Sequence, residues 1–527
     1  MPNQDLDSLL QIQRTTLNAL INYETNIKDN NIKVLLGTEK QTGDIMNFQA
    51  FRRYFASTAI DQLDAGGNLL KDNSGYASTN ARLNYFGRLN YNYLGKYLAE
   101  FVFRYDGSYI FPANKRFGFF PGVSLGYRIS KENFWKNNLS FINELKIRGS
   151  WGKTGNDRIT PYQYLSTYSY SGTYVFNQNT QVNQVAAGVT PNPRVTWEIA
   201  NQSNIGFDGQ MLNNKLSFSF DYFYNLRSNI LWWRNASVPS STGLTLPQEN
   251  LGRVANRGFE IQVGYNNKIG DFTYALSVNG AYSKNKILFW DETPGIPGYQ
   301  QSTGHPMNSQ LYYQAIGIFK DQGAVDKYPH WAGARAGDII FKDVNNDGKI
   351  DGLDQVRDYK TDIPTFTGGF SMDLGYKNFY ISALIQGAAG AERSYRTFSG
   401  EAGNFLMDDV TGRWTKDNIN AIKPRTWNRS KEYWMTDGAP NNTYWVRKSD
   451  YARLKNIEIG YNLPNKLIKR MGISAFRVYV SGANLITVTP MVDWDPESPN
   501  NDDNSIWVNS QVYPLMKVYN AGVSITF

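Results

Sequence analysis

The chain has 527 residues, 54 Lys+Arg against 46 Asp+Glu, two histidines and no cysteine, which excludes a disulfide framework, a thiolate metal site and a thiol nucleophile. An aromatic share of 15% argues against disorder, and no run approaches the ~18 apolar residues of a membrane-spanning helix. The net charge of +8 is spread along the chain rather than gathered in a basic patch, so nucleic acid is not an expected partner.

Met1 to Leu10 reads MPNQDLDSLL, without the basic and apolar regions of a signal peptide. An exported chain with this beginning is expected to be a fragment or a mis-started reading frame. Period-2 alternation then dominates. Strands are expected near 15–27, 31–42, 82–93, 96–108, 117–130, 141–152 and 160–178, then near 194–210, 214–230, 256–268 and 271–285. The last set lies near 308–319, 365–376, 378–388, 447–463, 474–487 and 512–527. From Leu216, for example, Phe218, Phe220 and Tyr222 share one face while Ser217, Ser219 and Asp221 share the other.

A soluble sandwich also alternates, so three further features decide. The segments run to about 10–14 residues, as tilted membrane strands require, against 5–6 in globular proteins. Tyr, Phe and Trp gather toward the strand ends, as interface girdles do. Tight turns near Asp29-Asn30, Gly95-Lys96, Asn213-Asn214, Gly270-Asp271 and Lys377-Asn378 mix with long excursions over 43–81, 231–255, 285–307 and 389–446. That mixture matches short periplasmic turns and long outer loops. The expected fold class is therefore all-β, a transmembrane antiparallel β-barrel over 1–527, with about 17 strands. Inside/outside parity breaks within 153–194 and 320–364. Short helices are expected at Lys131–Asn137 and Asn465–Met471, and a longer one at Ile45–Leu63 in an outer loop.

The sharpest chemical motif is Asp343-Val-Asn345-Asn-Asp347-Gly348-Lys349-Ile350-Asp351-Gly-Leu-Asp354. Oxygen donors at Asp343, Asn345 and Asp347, the Lys349 carbonyl, and carboxylates at Asp351 and Asp354 are spaced to wrap one structural calcium ion. The competing reading is an Asp/Asn/Gly-rich turn that binds nothing. Trp232, Trp233, Trp290 and Trp331 are candidates to stack on sugar rings or peptide side chains, with interface anchoring as their ordinary role. His305 and His330 lie beside no nucleophile-elbow pattern, so no enzyme is expected. Val523, Ile525 and Phe527 alternate with Ser524 and Thr526, a terminal amphipathic strand ending in an aromatic. Phe527 is thus the candidate outer-membrane assembly signal.

Several stretches together resemble the SusC/RagA-like TonB-dependent outer-membrane transporters. They are Phe86-Gly-Arg-Leu-Asn-Tyr-Asn-Tyr93, Arg104-Tyr-Asp-Gly-Ser108, Arg116-Phe-Gly-Phe-Phe-Pro121, Leu145-Lys-Ile-Arg-Gly-Ser-Trp-Gly152, Thr154-Gly-Asn156 and Trp197-Glu198. Asn256-Arg-Gly-Phe-Glu260, Gly337-Asp-Ile-Ile-Phe-Lys-Asp343, Tyr451-Ala-Arg-Leu-Lys-Asn-Ile457 and Arg477-Val-Tyr-Val-Ser-Gly-Ala-Asn-Leu485 continue the series. The resemblance implies a 22-stranded barrel occluded by an N-terminal plug, of which about 17 strands are expected here and the plug, signal peptide and TonB box are not. It implies import of oligomeric nutrients, glycan or peptide, with a SusD-like surface lipoprotein over the mouth, the TonB complex on the periplasmic side and outer-membrane lipid around the wall. Two other readings stand beside it: a complete passive porin of 16 or 18 strands, and a secreted calcium-stabilised β-rich binding protein.

Overall fold

The computed structural model describes residues 4–55, 59, 62–69, 71–176, 180–234, 246–395, 407–426, 442–468, 472–491, 494–497, 507–508 and 514–527. Among these, one antiparallel sheet has 15 strands in chain order. We number them β1 (Gln4–Ile27), β2 (Asn30–Arg53), β3 (Asp72–Tyr93), β4 (Tyr97–Ser108), β5 (Phe117–Arg128), β6 (Ile142–Asn156) and β7 (Glu198–Met211). Then come β8 (Leu216–Trp233), β9 (Gln248–Ile269), β10 (Phe272–Phe289), β11 (Phe366–Tyr376), β12 (Phe379–Ala389), β13 (Tyr451–Asn462), β14 (Ala475–Val488) and β15 (Val518–Thr526).

The expectation of about 17 strands is corrected to these 15. The two surplus segments fall in or beside the stretches where parity failed. Tyr168–Phe176 pairs only with Thr180–Ala187, as a separate hairpin. Within 308–319, Leu311–Tyr313 pairs with Gln355–Arg357, and Ala315–Ile318 with Ile339–Phe341, in two small sheets of their own. Once these are removed the connections alternate without a break. One side carries 28–29, 94–96, 212–215, 270–271 and 377–378 and the helical links 129–141 and 463–474. The turns use residues at positive φ, among them Gly95, Asn213, Asn214 and Gly270, as tight reversals between twisted strands require. The expected short helices are there, at Asn133–Asn138 and Asn465–Ile468. The helix expected over Ile45–Leu63 is not: β2 stays extended to Arg53, and the connection is 54–71.

Two compact units divide the chain, one of residues 1–127, 148–203 and 227–251, the other of 128–147, 204–226 and 252–527. In the second unit the register sorts side chains by polarity. Phe272, Tyr274, Leu276 and Val278 stand opposite Tyr376, Leu374, Met372 and Phe370. Those residues in turn stand opposite Phe379, Ile381, Ala383 and Ile385. Opposed residues share a face, so this face is apolar. Thr273, Ser277 and Asn279 face Gly375, Ser371 and Gly369 on the other, polar side. Phe272 and Tyr282 bracket the apolar stretch, roughly 33 Å apart along the strand, which at a tilt near 40° gives about 25 Å, the height of an outer-membrane lipid band.

The first unit repeats the pattern. Tyr97 stacks on Tyr93 and Tyr127 at 6.3 and 5.1 Å, and Tyr105 on Phe117 at 4.9 Å, which marks two aromatic rows on β3–β5. With one face turned to lipid and the other to water, the sheet has no conventional core. The buried apolar clusters lie among the connections and the strand ends beside them, one in each unit.

Candidate functional site

In the second unit the polar face of β8–β12 is indented. A groove of about 450 Å³ is lined by Ser219, Asp221, Glu260, Gln262, Asn279 and Gln386, with Gly369 and Gly387 beneath. Alternation places these side chains there: each sits one residue away from an apolar neighbour on its strand. Small residues keep the wall thin, and amides and carboxylates supply hydrogen-bonding groups along it. Toward the short-turn end, Glu458 accepts from the Tyr380 hydroxyl at 2.5 Å and from Arg477 at 3.3 Å.

In the first unit the long connections close over the ends of the strands. Trp197 packs on Phe111 and Phe120 at 4.9 and 5.2 Å. Beside it the buried Glu198 accepts from Asn156 Nδ2 at 2.8 Å, Arg227 Nη2 at 3.2 Å and the Leu231 N–H at 3.2 Å. Asp157 accepts from Arg82 and from Ser108 Oγ, both at 2.8 Å. A Cβ at Gly155 would stand 2.1 Å from the Phe120 ring, which fixes glycine there. The scattered motifs Arg104–Ser108, Arg116–Pro121, Thr154–Asn156 and Trp197-Glu198 thus meet in one structural cluster.

In the second unit the connections 290–365 and 390–450 share a core. Tyr313, Trp331, Ile339, Phe341, Ile350 and Trp445 are packed together. Arg425 donates to Asp338 at 2.7 Å, and the Thr443 hydroxyl accepts from the Ala315 N–H at 2.9 Å. The connection 489–517 is clipped to the wall. Arg453 of β13 is 1% exposed and donates to Asp495 at 2.5 Å, with Glu497 at 3.1 Å, and Lys455 pairs with Glu497 at 2.7 Å. Burial works against the Asp495 charge, but Arg453 and the N–H groups of Glu497 and Leu515 overcome it and hold the carboxyl below the usual range. Burial also keeps the His305 pKa below its ordinary value, with the ring 4.3 Å from that of Tyr359.

The sequence-derived candidates lie as follows. Trp232 is half-buried and Trp233 exposed at the end of β8, and Trp290 is half-buried just past β10. Trp331 is 5% exposed, its ring 5.2 Å from Phe341, so the expectation of a stacking platform is corrected there: its faces are occupied by core neighbours. Phe527 is exposed, immediately past β15. In the 343–354 loop, Asp343 accepts from the Asn346 and Gly348 N–H groups, Asn345 from Asp347, and Asp347 from the Lys349 N–H. Asp351 accepts from Leu353, and Asp354 from Val344 and Asp351. Ile350 anchors the loop in the buried cluster. Among the described residues no three acidic or histidine side chains gather closely enough to hold a metal.

The TonB dependent receptor-like β-barrel family model matches residues 2–485. The chain belongs to that family. Within it the likeness is to the SusC/RagA-like branch. TonB-dependent receptor P3 of Formosa agariphila is 30% identical over 98% of this chain and 53% of its own length. TonB-dependent receptor SusC of Bacteroides thetaiotaomicron is 24% identical over 97% and 50%. The solved RagAB peptide transporter superposes with a TM-score of 0.79 at 23% identity, over 99% of this chain and 56% of that one. The chain therefore spans about half the length of the relatives it matches.

As a TonB-dependent receptor barrel, the sheet belongs in the outer membrane, and its apolar face is the lipid-facing one. The family is not a catalytic one. Membership also sets aside the passive porin and the secreted binding protein. Sequence reasoning missed the Arg453–Asp495 clip and the Glu198 hub. Both had a signal: a charged residue set beside apolar neighbours in a strand-like stretch, Trp197-Glu198 and Tyr451-Ala-Arg453-Leu454.

Proposed function

We propose that residues 1–527 form the barrel portion of a SusC/RagA-type importer that carries oligomeric nutrients, glycan or peptide, across the outer membrane with TonB-derived energy. The observation that carries this reading is the two-faced wall: an apolar band of membrane height backed by a groove of amides, hydroxyls and carboxylates. Such a lining offers hydrogen bonds to peptide or sugar and no affinity for apolar cargo. The same polar wall suits a plug, supplied by the part of the relatives' length that this chain does not span. A SusD-like lipoprotein at the outer mouth completes the assembly, a reading supported by the likeness to the RagAB peptide transporter. Trp233, exposed at a strand end, is the best placed of the tryptophans to stack on substrate. The test is uptake of labelled oligopeptides and oligosaccharides by cells making the full-length protein, with and without TonB. Accumulation of one class that falls to background without TonB is expected; TonB-independent uptake contradicts the proposal.

We also infer that the 343–354 loop takes a calcium ion. The hydrogen bonds that the Asn346 and Gly348 N–H groups donate to Asp343, and the Lys349 N–H to Asp347, wrap the chain around these carboxylates as an oxygen-lined loop does. Terbium luminescence excited through a nearby aromatic, lost in Asp343→Ala, is the expected result, and a silent titration removes calcium from the account.

A further inference from the structure

Strands β1, β2 and β3 have 24, 24 and 22 residues, whereas β4 and β5 have 12 each. The ladder between β3 and β4 begins at Arg82, opposite Ser108. Among the described residues, 72–80 of β3 therefore ladder only with β2, and β2 in turn with β1. The three form a flag that continues past the rest of the wall. Its position relative to lipid follows from the aromatic rows. Tyr85 of the outer row is in register with Thr38 of β2 and Ala19 of β1, and Tyr93 of the inner row with Asn30 and Ile27. At the same tilt, near 40°, a 25 Å band takes about ten residues, so lipid covers about 17–27 of β1. Leu6, Leu10 and Ile12 lie roughly 20 to 40 Å farther along the strand, in water, yet they are 57%, 53% and 59% exposed.

These residues share one face. Leu10 is opposite Asn47 and, beyond it, Tyr76; Ile12 is opposite Ile45; Leu6 is opposite Phe51. By period-2 alternation this face is the continuation of the polar one, since Glu24, Lys33, Asn84 and Arg88 lie on it lower down. Its character changes above the lipid band. Among the described residues, the rows between Asp72 and Arg14 hold only aliphatic, aromatic, amide and hydroxyl side chains. The opposite face differs: Leu9, Met46 and Phe48 there are interrupted by Asp7 and Asp44. A centre free of charge that mixes exposed apolar side chains with amides and hydroxyls, and has charged residues at its margin, is the anatomy of a protein interface. The flag measures roughly 40 Å by 14 Å, about 560 Å² per face, most of the ~800 Å² that each partner gives a standard interface.

We propose that this inward face of the flag docks the surface lipoprotein that caps the outer mouth. The inference rests on the importer reading, and it names the contact. A partner that reaches this face must stand outside the lipid and over the polar side of the wall, which is the position of such a cap. The residues that carry it are Leu6, Leu10, Ile12, Ile45, Phe51 and Tyr76.

The experiment uses the full-length protein in its native outer membrane and an epitope-tagged SusD-like surface lipoprotein from the same cells. Leu9 and Leu10 are adjacent and similarly exposed, at 62% and 53%, but lie on opposite faces, so each controls for the other. Leu10→Asp with Ile12→Asp is expected to lower the co-purified lipoprotein at least about tenfold, while Leu9→Asp leaves it unchanged. Heat-modifiable gel mobility, unchanged in both variants, shows that the barrel is folded. A photo-crosslinking residue at Tyr76 is expected to capture the lipoprotein. Capture of a second copy, or of another segment of the same chain, overturns the inference, as does equal retention by the Leu9 and Leu10 variants. If the unaltered protein retains no lipoprotein, the importer's partner is wrong. If it does and the flag variants retain it too, only the docking face is wrong.

Discussion

Glu198 receives donors from three places, Asn156, Arg227 and the Leu231 backbone, in a pocket walled by Trp197. Glu198→Ala strands the buried Leu231 N–H and the Asn156 amide, a loss of about 2 kcal/mol. The readout is the temperature at which the folded band disappears from an unboiled gel, and an unchanged temperature removes the hub from the account. His305 gives a pH dependence. Its folded pKa lies below the ordinary value of 6.5, so in the folded state it resists the proton that the unfolded chain accepts. Stability is then full above about pH 6.5 and declines as the pH falls below it. His305→Gln should flatten that decline in a pH series of protease resistance of the 290–365 connection; the same slope in both proteins contradicts the assignment. At this scale the sequence was least legible. Tryptophans at 232, 233, 290 and 331 look alike in the chain, but Trp331 alone of them is enclosed by the cluster that the connections build. That cluster includes Trp445, more than a hundred residues away in sequence. No local pattern reports such a contact.

Strand by strand, far more could be read. Alternation located every strand of the large sheet, because a wall between lipid and water requires it in each one. It also produced the two surplus segments, since Tyr168–Phe176 and Leu311–Tyr313 alternate as well but pair within the connections. Period 2 reports that a segment has two faces and says nothing of its partner. The missed flag has a similar cause. Apolar residues on both faces of 45–53 break the alternation, and the stretch then looks helical. Glycines are legible only where the backbone must pass closely. A Cβ at Gly258 of β9 would stand 1.9 Å from the Tyr282 carbonyl and 2.7 Å from the Phe223 ring. Gly258→Ala should therefore shift the strand pair and reduce the folded fraction in the outer membrane, whereas Gly264→Ala, 2.9 Å from the mobile Ser217 hydroxyl, should be milder. Equal effects would show that the β9–β10 contact is looser than drawn. The Arg453 clip acts on an element too. Arg453→Met leaves Asp495 and Glu497 facing a buried apolar side chain, about 3 kcal/mol or more against the folded connection. Faster proteolysis within 489–517 with the wall intact is the expected outcome, and unaltered cleavage contradicts it.

The whole molecule explains the composition. Aromatics serve as girdles, modest aliphatic content suffices because lipid replaces half of a core, and polar residues fill the other face. The family resemblance supplied the transporter, while the physical pattern supplied the barrel; neither reached the substrate, because a lining of amides and hydroxyls suits peptide and sugar alike. The central claim is the two-faced wall, and the absence of cysteine from these 527 residues allows it to be tested directly once any cysteine outside them is replaced. Single cysteines placed along β10 at Leu276, Ser277, Val278, Asn279, Gly280 and Ala281 of the full-length protein would be exposed to a charged, water-soluble maleimide in intact outer membranes. The wall predicts labelling at 277, 279 and 281 and protection at 276, 278 and 280. Uniform labelling, or the opposite alternation, would contradict it.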